Sequence, residues 1–205
     1  MARRISLTIA ILAVGVGISV ISVMVSRFKS QRDTIRAIID CGGSVVYSYE
    51  HADTGIHGIG VSPYPQFVLD IFGEEPLHDV AEVTLSGPSV SSHVIERVSG
   101  LEGLLKIQLQ NVNVNRIGIG TLNASATLAE VHMRQCKIED MSQLSQLKRI
   151  ERMAISNSEL PHATLAQFSQ MKELASLVFD DCNMHQTHHR KLQSIMPKCV
   201  IVVLP

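Results

Sequence analysis

His185, His188 and His189 are the residues whose type and spacing come nearest to chemistry. Histidines four apart on a helix share a face, so His185 and His189 could hold a divalent metal between them. No carboxylate or cysteine completes that set at a fixed spacing, and His189 falls in the frame of inward-facing apolar residues described below. The three are read as helix packing, with no metal and no cofactor. Cysteines stand at 41, 136, 182 and 199 without a Cys-x-x-Cys pair, so they mark neither a zinc site nor a disulfide framework. Cys136 and Cys182 occupy equivalent turns two strands apart, about 10 Å at the usual strand spacing, which is too far for a disulfide. They read as buried free thiols; a nucleophilic role would need a neighbouring base. Gly55, Gly58 and Gly60 lack the Lys-Ser/Thr ending of a phosphate loop and read as connecting loop. No catalytic residue emerges.

Binding chemistry is bounded by composition. Lys and Arg number 18 against 19 Asp and Glu, without a basic run, so the electrostatic stripe that nucleic acid requires is missing. Trp is absent and aromatic residues make up 4%, which leaves few stacking platforms or aromatic anchors. A recognition surface on this chain would be polar.

The elements that position such a surface repeat along the chain. The pattern L-x-x-L-x-L-x-x-N/C-x-L lies on Val80, Val83, Leu85, Pro88 and Val90, then on Leu104, Ile107, Leu109, Val112 and Val114. It continues through Leu128, Val131, Met133, Cys136 and Ile138, through Ile150, Met153, Ile155, Ser158 and Leu160, and through Leu174, Leu177, Phe179, Cys182 and Met184. A truncated last unit reads Lys198, Ile201 and Val203. Starts fall 24 residues apart except between Leu128 and Ile150, where the step is 22. The loss sits just after Ile138. Behind it the apolar trio Met141, Leu144 and Leu147 is displaced by two from the places held elsewhere by Ile95, Val98 and Leu101, by Ile119 and Leu122, and by Leu165, Phe168 and Met171. A chance match would not recover its phase after a deletion.

Alternation at the second and third apolar positions describes a short strand with one face buried, and the trio describes a returning helix or 3₁₀ turn. No single unit buries its apolar side alone, so the units stack into a parallel sheet with helices on the outer wall. The N/C position holds Pro88, Val112, Cys136, Ser158 and Cys182 and no Asn, which predicts turns less regular than the consensus. On the concave side of the sheet, Glu82, Lys106, Glu130 and Arg152 form a column of alternating charge. Opposite charges on adjacent strands contribute about 0.2–1 kcal/mol per pair and oppose register slips. The adjoining residues Gln108, Gln110, Asn111, His132, Arg134, Gln135, Asn157, Asp180 and Asp181 extend this column into a candidate polar binding surface.

Residues 1–31 read as a membrane anchor. Ile5 to Ser26 carries neither charge nor Pro, and about 20 apolar helical residues cross a hydrocarbon core. Arg3, Arg4, Arg27, Lys29 and Arg32 flank it. No Ala-x-Ala site ends the run, so an uncleaved anchor is expected over a cleaved signal peptide. The domain beyond it is expected on the exported side, in a periplasmic or other extracytoplasmic space. Residues 32–79 form an α/β cap: a helix from Arg32 to Asp40 ended by Gly42-Gly43, a strand from Ser44 to Tyr49, a loop from Glu50 to Ser62, and a helix opened by Pro65 that carries Phe67, Leu69, Ile71 and Phe72. Residues 80–205 hold the repeats.

The segments Cys41-Gly42-Gly43-Ser44-Val45-Val46-Tyr47, Gln66-Phe67-Val68-Leu69-Asp70-Ile71-Phe72-Gly73 and Met196-Pro197-Lys198-Cys199-Val200-Ile201, in this order around the repeats, resemble a group of membrane-anchored bacterial leucine-rich repeat proteins. The resemblance spans nearly the whole chain. It implies a horseshoe-shaped α/β solenoid and membrane attachment, and it brings no catalytic or ligand residues. Cys41, where that group has an apolar residue, and the missing Asn ladder are departures. The expected function is a non-enzymatic, membrane-tethered module for protein–protein interaction through the concave face. The alternatives are a structural component of an envelope assembly without a discrete ligand and, least favoured, a metal enzyme using His185, His188 and His189.

Overall fold

The computed structural model describes residues 25–50, 64–72 and 77–205. Six strands follow one another in the repeat frame: β2 (Val80–Ser86), β3 (Lys106–Gln110), β4 (Glu130–Arg134), β5 (Arg152–Ser156), β6 (Ser176–Asp180) and β7 (Val200–Leu204). Each pairs in parallel with the next, and the register joins Val83, Ile107, Val131, Met153, Leu177 and Ile201 into one row across the sheet. Leu85, Leu109, Met133, Ile155, Phe179 and Val203 form a second. Apart from Val203, which is half-buried, these residues lie inside the core, because each strand's inward face is closed off by the strands on either side.

The return segments are the α-helices α3 (Ser92–Ser99) and α4 (Gln186–Ile195) in the first and last full units, and 3₁₀ segments at Ile119–Ala124, Leu144–Gln146 and His162–Gln170 between them. The predicted trios are buried in the first four returns, joined by Val94 in α3, and α4, for which no trio is predicted, buries Leu192. In the shortened unit Met141, Leu144 and Leu147 are as buried as their counterparts. The missing two residues are absorbed by the return, and β4 and β5 stay in register.

The turns correct an expectation. They are regular: Asn111, Gln135, Asn157 and Asp181 all hold a left-handed backbone with φ between 48° and 54°, and Gly87 holds φ 86° at the same place. Thiol and hydroxyl groups fill the position that Asn takes in the consensus in the last three turns, and Pro88 and Val112 fill it in the first two. Cys136 donates its thiol toward the Leu109 and Arg134 carbonyls (3.4 and 3.5 Å), and Cys182 does the same to those of Ile155 and Asp180 (3.3 and 3.4 Å). Ser158 donates to the Ser156 carbonyl (2.9 Å) and accepts from the Cys136 N–H (3.0 Å). Burial raises the thiol pKa of Cys136 and of Cys182, which keeps the donor proton in place. All four cysteines are free.

The cap is built differently. Helix α1 fills 25–40 of the described residues, and the boundary expected between residues 31 and 32 falls inside it. Its end is as predicted: Gly42 takes φ 82°, and Gly42 and Gly43 donate to the carbonyls of Ile39 and Ile38 (2.9 and 2.8 Å). Ile35 and Ile38 enter the core, and Ile39 does not. Strand β1 (Ser44–Tyr47) is shorter than expected and pairs antiparallel with β2. Helix α2 (Gln66–Phe72) follows Pro65 as predicted, with Phe67 exposed. The expected anchor at 5–26 lies, except for Val25 and Ser26, outside the described residues, as do Gly55, Gly58 and Gly60. Among the described residues no helix is long and apolar enough to cross a membrane.

Two backbone positions test this account. A Cβ at Gly43 would stand 2.4 Å from the Thr84 carbonyl oxygen and 2.9 Å from that of Ile38, neither of which is a flexible side chain. Gly43→Ala is expected to lower stability by about 2–3 kcal/mol in urea unfolding. Gln135→Gly should raise it by about 0.5–1 kcal/mol, because glycine carries no left-handed penalty; a loss instead would mean that the Gln135 side chain supports the turn.

Candidate functional site

Parallel pairing sets residues of equal repeat position side by side, so the concave face is a grid of rows crossing the strands. The first row is Glu82, Lys106, Glu130, Arg152, Ser176 and Val200. The second is Thr84, Gln108, His132, Ala154, Val178 and Val202; the third is Ser86, Gln110, Arg134, Ser156, Asp180 and Leu204. All three change from polar or charged at β2–β4 to apolar at β7.

The charged row is knitted together. Lys106 lies 3.5 Å from Glu82, and the other Glu82 oxygen accepts from Gln108. Arg152 pairs with Glu130 through both Nε and a terminal nitrogen. His132 reaches the second Glu130 oxygen at 3.6 Å. Glu82 and Lys106 retain only 13% and 18% side-chain exposure, so their pairing is partly shielded from solvent and resists screening better than an open surface pair.

His132 sits inside this network with its pKa lowered from the ordinary 6.5. Burial is the largest cause, followed by the Lys106 ammonium, while Glu130 and Glu82 pull the other way and Arg152 adds to the lowering. The 3.6 Å approach to Glu130 would by itself favour the imidazolium. That carboxylate is already engaged by Arg152, so desolvation prevails and the ring is neutral at pH 7.

The predicted surface divides in two. Glu82, Lys106, Gln108, Glu130, His132 and Arg152 come together and satisfy one another. Arg134, Asn157 and Asp180 stand toward the turn side of the strands, with Gln110, Asn111, Gln135 and Asp181. The side chains of Gln110, Asn111, Arg134, Gln135 and Asn157 have no hydrogen-bond or ion-pair partner among the described residues, and all five are exposed. Between the first three repeats, a cavity of about 260 Å³ is lined by polar residues, Asn111, Asn113, Arg116, Gln135 and Lys137, and by apolar ones that include Val90, Val112 and Ile117.

Several positions carry roles that the spacing does not predict. Asn115 accepts from the N–H groups of Glu139 and Asp140 (2.7 and 3.3 Å) and donates to the Asp140 carbonyl (3.0 Å), tying the second repeat to the third. Asn183 does the same for Leu160 in the preceding repeat. In the cap, Tyr47, Tyr49 and Tyr64 surround the buried His78, with ring centroids 6.0, 4.3 and 5.1 Å from it. These are the chain's three tyrosines. No sequence signal joins residues so far apart.

His185 caps α4, accepting from the Thr187 N–H at 3.5 Å, and its ring centroid lies 6.5 Å from that of His188. His189 is half-buried, and its Nε2 meets no hydrogen-bond partner among the described residues. No group of three or more His, Cys, Asp or Glu is placed to hold a metal ion among those residues.

No family model matches the chain. No curated protein matches it either. Among solved structures, a leucine-rich repeat protein of Leptospira interrogans matches at 20% identity and a TM-score of 0.41, over 52% of this chain. The chain spans 27% of that protein's length. The fold of the present chain, a leucine-rich-repeat-type solenoid, rests on its own strand register and repeat.

A pH dependence follows from His132. Its folded pKa is below that of the unfolded chain, so between the two values the unfolded state binds more protons and stability falls as pH drops below 6.5. His132→Gln is expected to flatten the stability–pH profile in that window, measured by urea midpoints in steps from pH 7.5 to pH 5; an unchanged slope would place the titration elsewhere.

Proposed function

We propose that the chain is a non-enzymatic, membrane-tethered interaction module that binds a protein partner through the turn-side rim of its concave face. The observation that carries this reading is the contrast between the two halves of the polar surface. Charges in the first row are spent on one another, whereas Gln110, Asn111, Arg134, Gln135 and Asn157 are exposed and unengaged among the described residues. Solenoids present such extended concave surfaces to macromolecular ligands rather than deep pockets to small ones. Arg134 is the natural anchor: its guanidinium can meet a carboxylate through two parallel hydrogen bonds, with the amides around it completing a polar contact. This sharpens the wider surface expected from sequence, moving its weight from Glu82, Lys106, Glu130 and Arg152 to the rim.

Tethering rests on the uncharged run from Ile5 to Ser26 and its basic flanks. Export of the domain is part of the same reading. A reporter fused after Pro205 that is active only in the cytoplasm would reverse that orientation.

Photo-crosslinking of the full chain in native membranes tests the rim. A crosslinker at Gln135 is expected to capture one protein partner, and Arg134→Glu to reduce that capture at least about tenfold. Lys106→Gln, on the internally paired row, should leave capture nearly unchanged. Equal loss from both substitutions, or from neither, would sink the assignment to the rim.

A further inference from the structure

The two edges of the sheet are finished differently. At one, antiparallel β1 carries the cap. At the other, β7 is paired on one side only among the described residues. The N–H of Val200 donates to the Ala175 carbonyl (2.8 Å), and the carbonyl of Leu204 accepts from the Asp181 N–H (3.4 Å). In a parallel ladder, alternate residues turn both backbone groups toward the same neighbour, so Val200, Val202 and Leu204 serve β6. The N–H and C=O groups of Ile201 and Val203 then face the open edge. Edge strands are ordinarily blunted by charge, proline or a cover, and Val-Ile-Val-Val-Leu contains neither charge nor proline. Its concave side leaves Val200, Val202 and Leu204 at 63%, 36% and 45% exposure.

We propose that this edge is a homodimer interface in which β7 of two copies pairs antiparallel about a two-fold axis at Val202. The strand is complementary to its own inverse. Inverted about Val202, Ile201 meets Val203 of the second copy. Both carry outward backbone groups, so the two can exchange N–H···O bonds as a hydrogen-bonded pair, while Val202 meets Val202 as the closer, non-bonded pair. Side chains match as well. Ile201 and Val203 continue the core face across the junction, and Val200 comes to lie beside Leu204 on the concave face, apolar against apolar.

Charge complementarity points to the same occupant. Lys198 precedes the strand, is exposed, and has no ion-pair partner among the described residues. In the inverted register it passes beyond the second copy's Leu204, about two strand spacings, roughly 10 Å between backbones, from that copy's Asp180 and Asp181, a gap that the long lysine side chain narrows. These acids also lack a cationic partner among the described residues. Symmetry makes the contact twice, as in any self-complementary two-fold interface. No two like charges are set against each other along the strand.

The test uses the full chain in detergent micelles or nanodiscs. Light scattering over a concentration series should show a monomer–dimer equilibrium. Residue-resolved hydrogen exchange should show the amides of Ile201 and Val203 gaining protection as the dimer fills, while that of Val202 is protected throughout by β6. Val202→Lys, which places two ammonium groups face to face on the axis, should raise the dissociation constant at least about tenfold. Because that change could disturb β7 itself, Lys198→Glu is the second variant. It should weaken the dimer, and adding Asp180→Lys should restore it. A chain that stays monomeric at about 100 µM overturns the proposal. So does a dimer whose Ile201 and Val203 amides exchange freely, as one held by the membrane segment would, or one indifferent to both variants.

Discussion

No repeat of this chain can bury its own apolar strand face, and the rest of the structure depends on that shortage. A strand of five residues offers two inward side chains. Leu177 and Phe179 are fully enclosed because Met153 and Ile155 lie on one side and Ile201 and Val203 on the other. Burial is a property of the stack, so register is enforced by every neighbour at once; a slip by one residue would turn the whole apolar row to solvent. The deletion after Ile138 shows how strict this is. Two residues are lost from the return segment, where a 3₁₀ turn shortens to take up the change, and none from a strand.

Once register is fixed, the turn chemistry follows. Strands β2 to β6 leave the sheet at the same point, through a left-handed residue at Gly87, Asn111, Gln135, Asn157 and Asp181 in turn. Asn and Asp tolerate that conformation better than most residues, and Gln135 is the strained member of the series. In three of the five turns the following residue also supplies a donor to carbonyls inside the turn, whereas Pro88 and Val112 hold the first two without one. Cys136 and Cys182 do this with protonated thiols and Ser158 with its hydroxyl, so a ladder survives without the consensus Asn. The missing Asn residues alone suggest irregular turns, because residue type at that position is what the repeat pattern registers. The left-handed residue before that position is what the five turns share, and a thiol or hydroxyl donor reinforces the last three.

What is periodic was legible and what is not was missed. The apolar rows, the displaced trio Met141, Leu144 and Leu147, and the neighbouring placement of Glu82, Lys106, Glu130 and Arg152 all follow from counting. Counting cannot say which polar groups end up engaged. Gln108 turns back to Glu82 rather than out to solvent, and His132 shares Glu130 with Arg152, because these pairings depend on side-chain reach across strands. The antiparallel direction of β1 and the gathering of Tyr47, Tyr49 and Tyr64 around His78 lie wholly outside the repeat, so no frame was available to foretell them. The clamps at Asn115 and Asn183 were hidden differently: they are asparagines, but not at the consensus position.

The same rows that give the solenoid its register also grade its concave face. From β2 to β7 they run Glu82 to Val200, Thr84 to Val202 and Ser86 to Leu204, so charge gives way to aliphatic surface within one continuous sheet. Core packing does not require this gradient, because these side chains point away from the core. At the polar end, ion pairs engage Glu82, Lys106, Glu130 and Arg152 with one another, while Arg134 and its neighbouring amides are unengaged among the described residues. At the apolar end, exposed valines adjoin backbone groups that are unpaired among the described residues, which is the combination that strand addition uses. The two proposed contacts thus differ in kind: side-chain hydrogen bonding to a polar ligand near β3 and β4, and backbone pairing at β7. The strands between them, β5 and β6, hold β4 and β7 apart by about three strand spacings, roughly 14 Å, so one contact need not exclude the other.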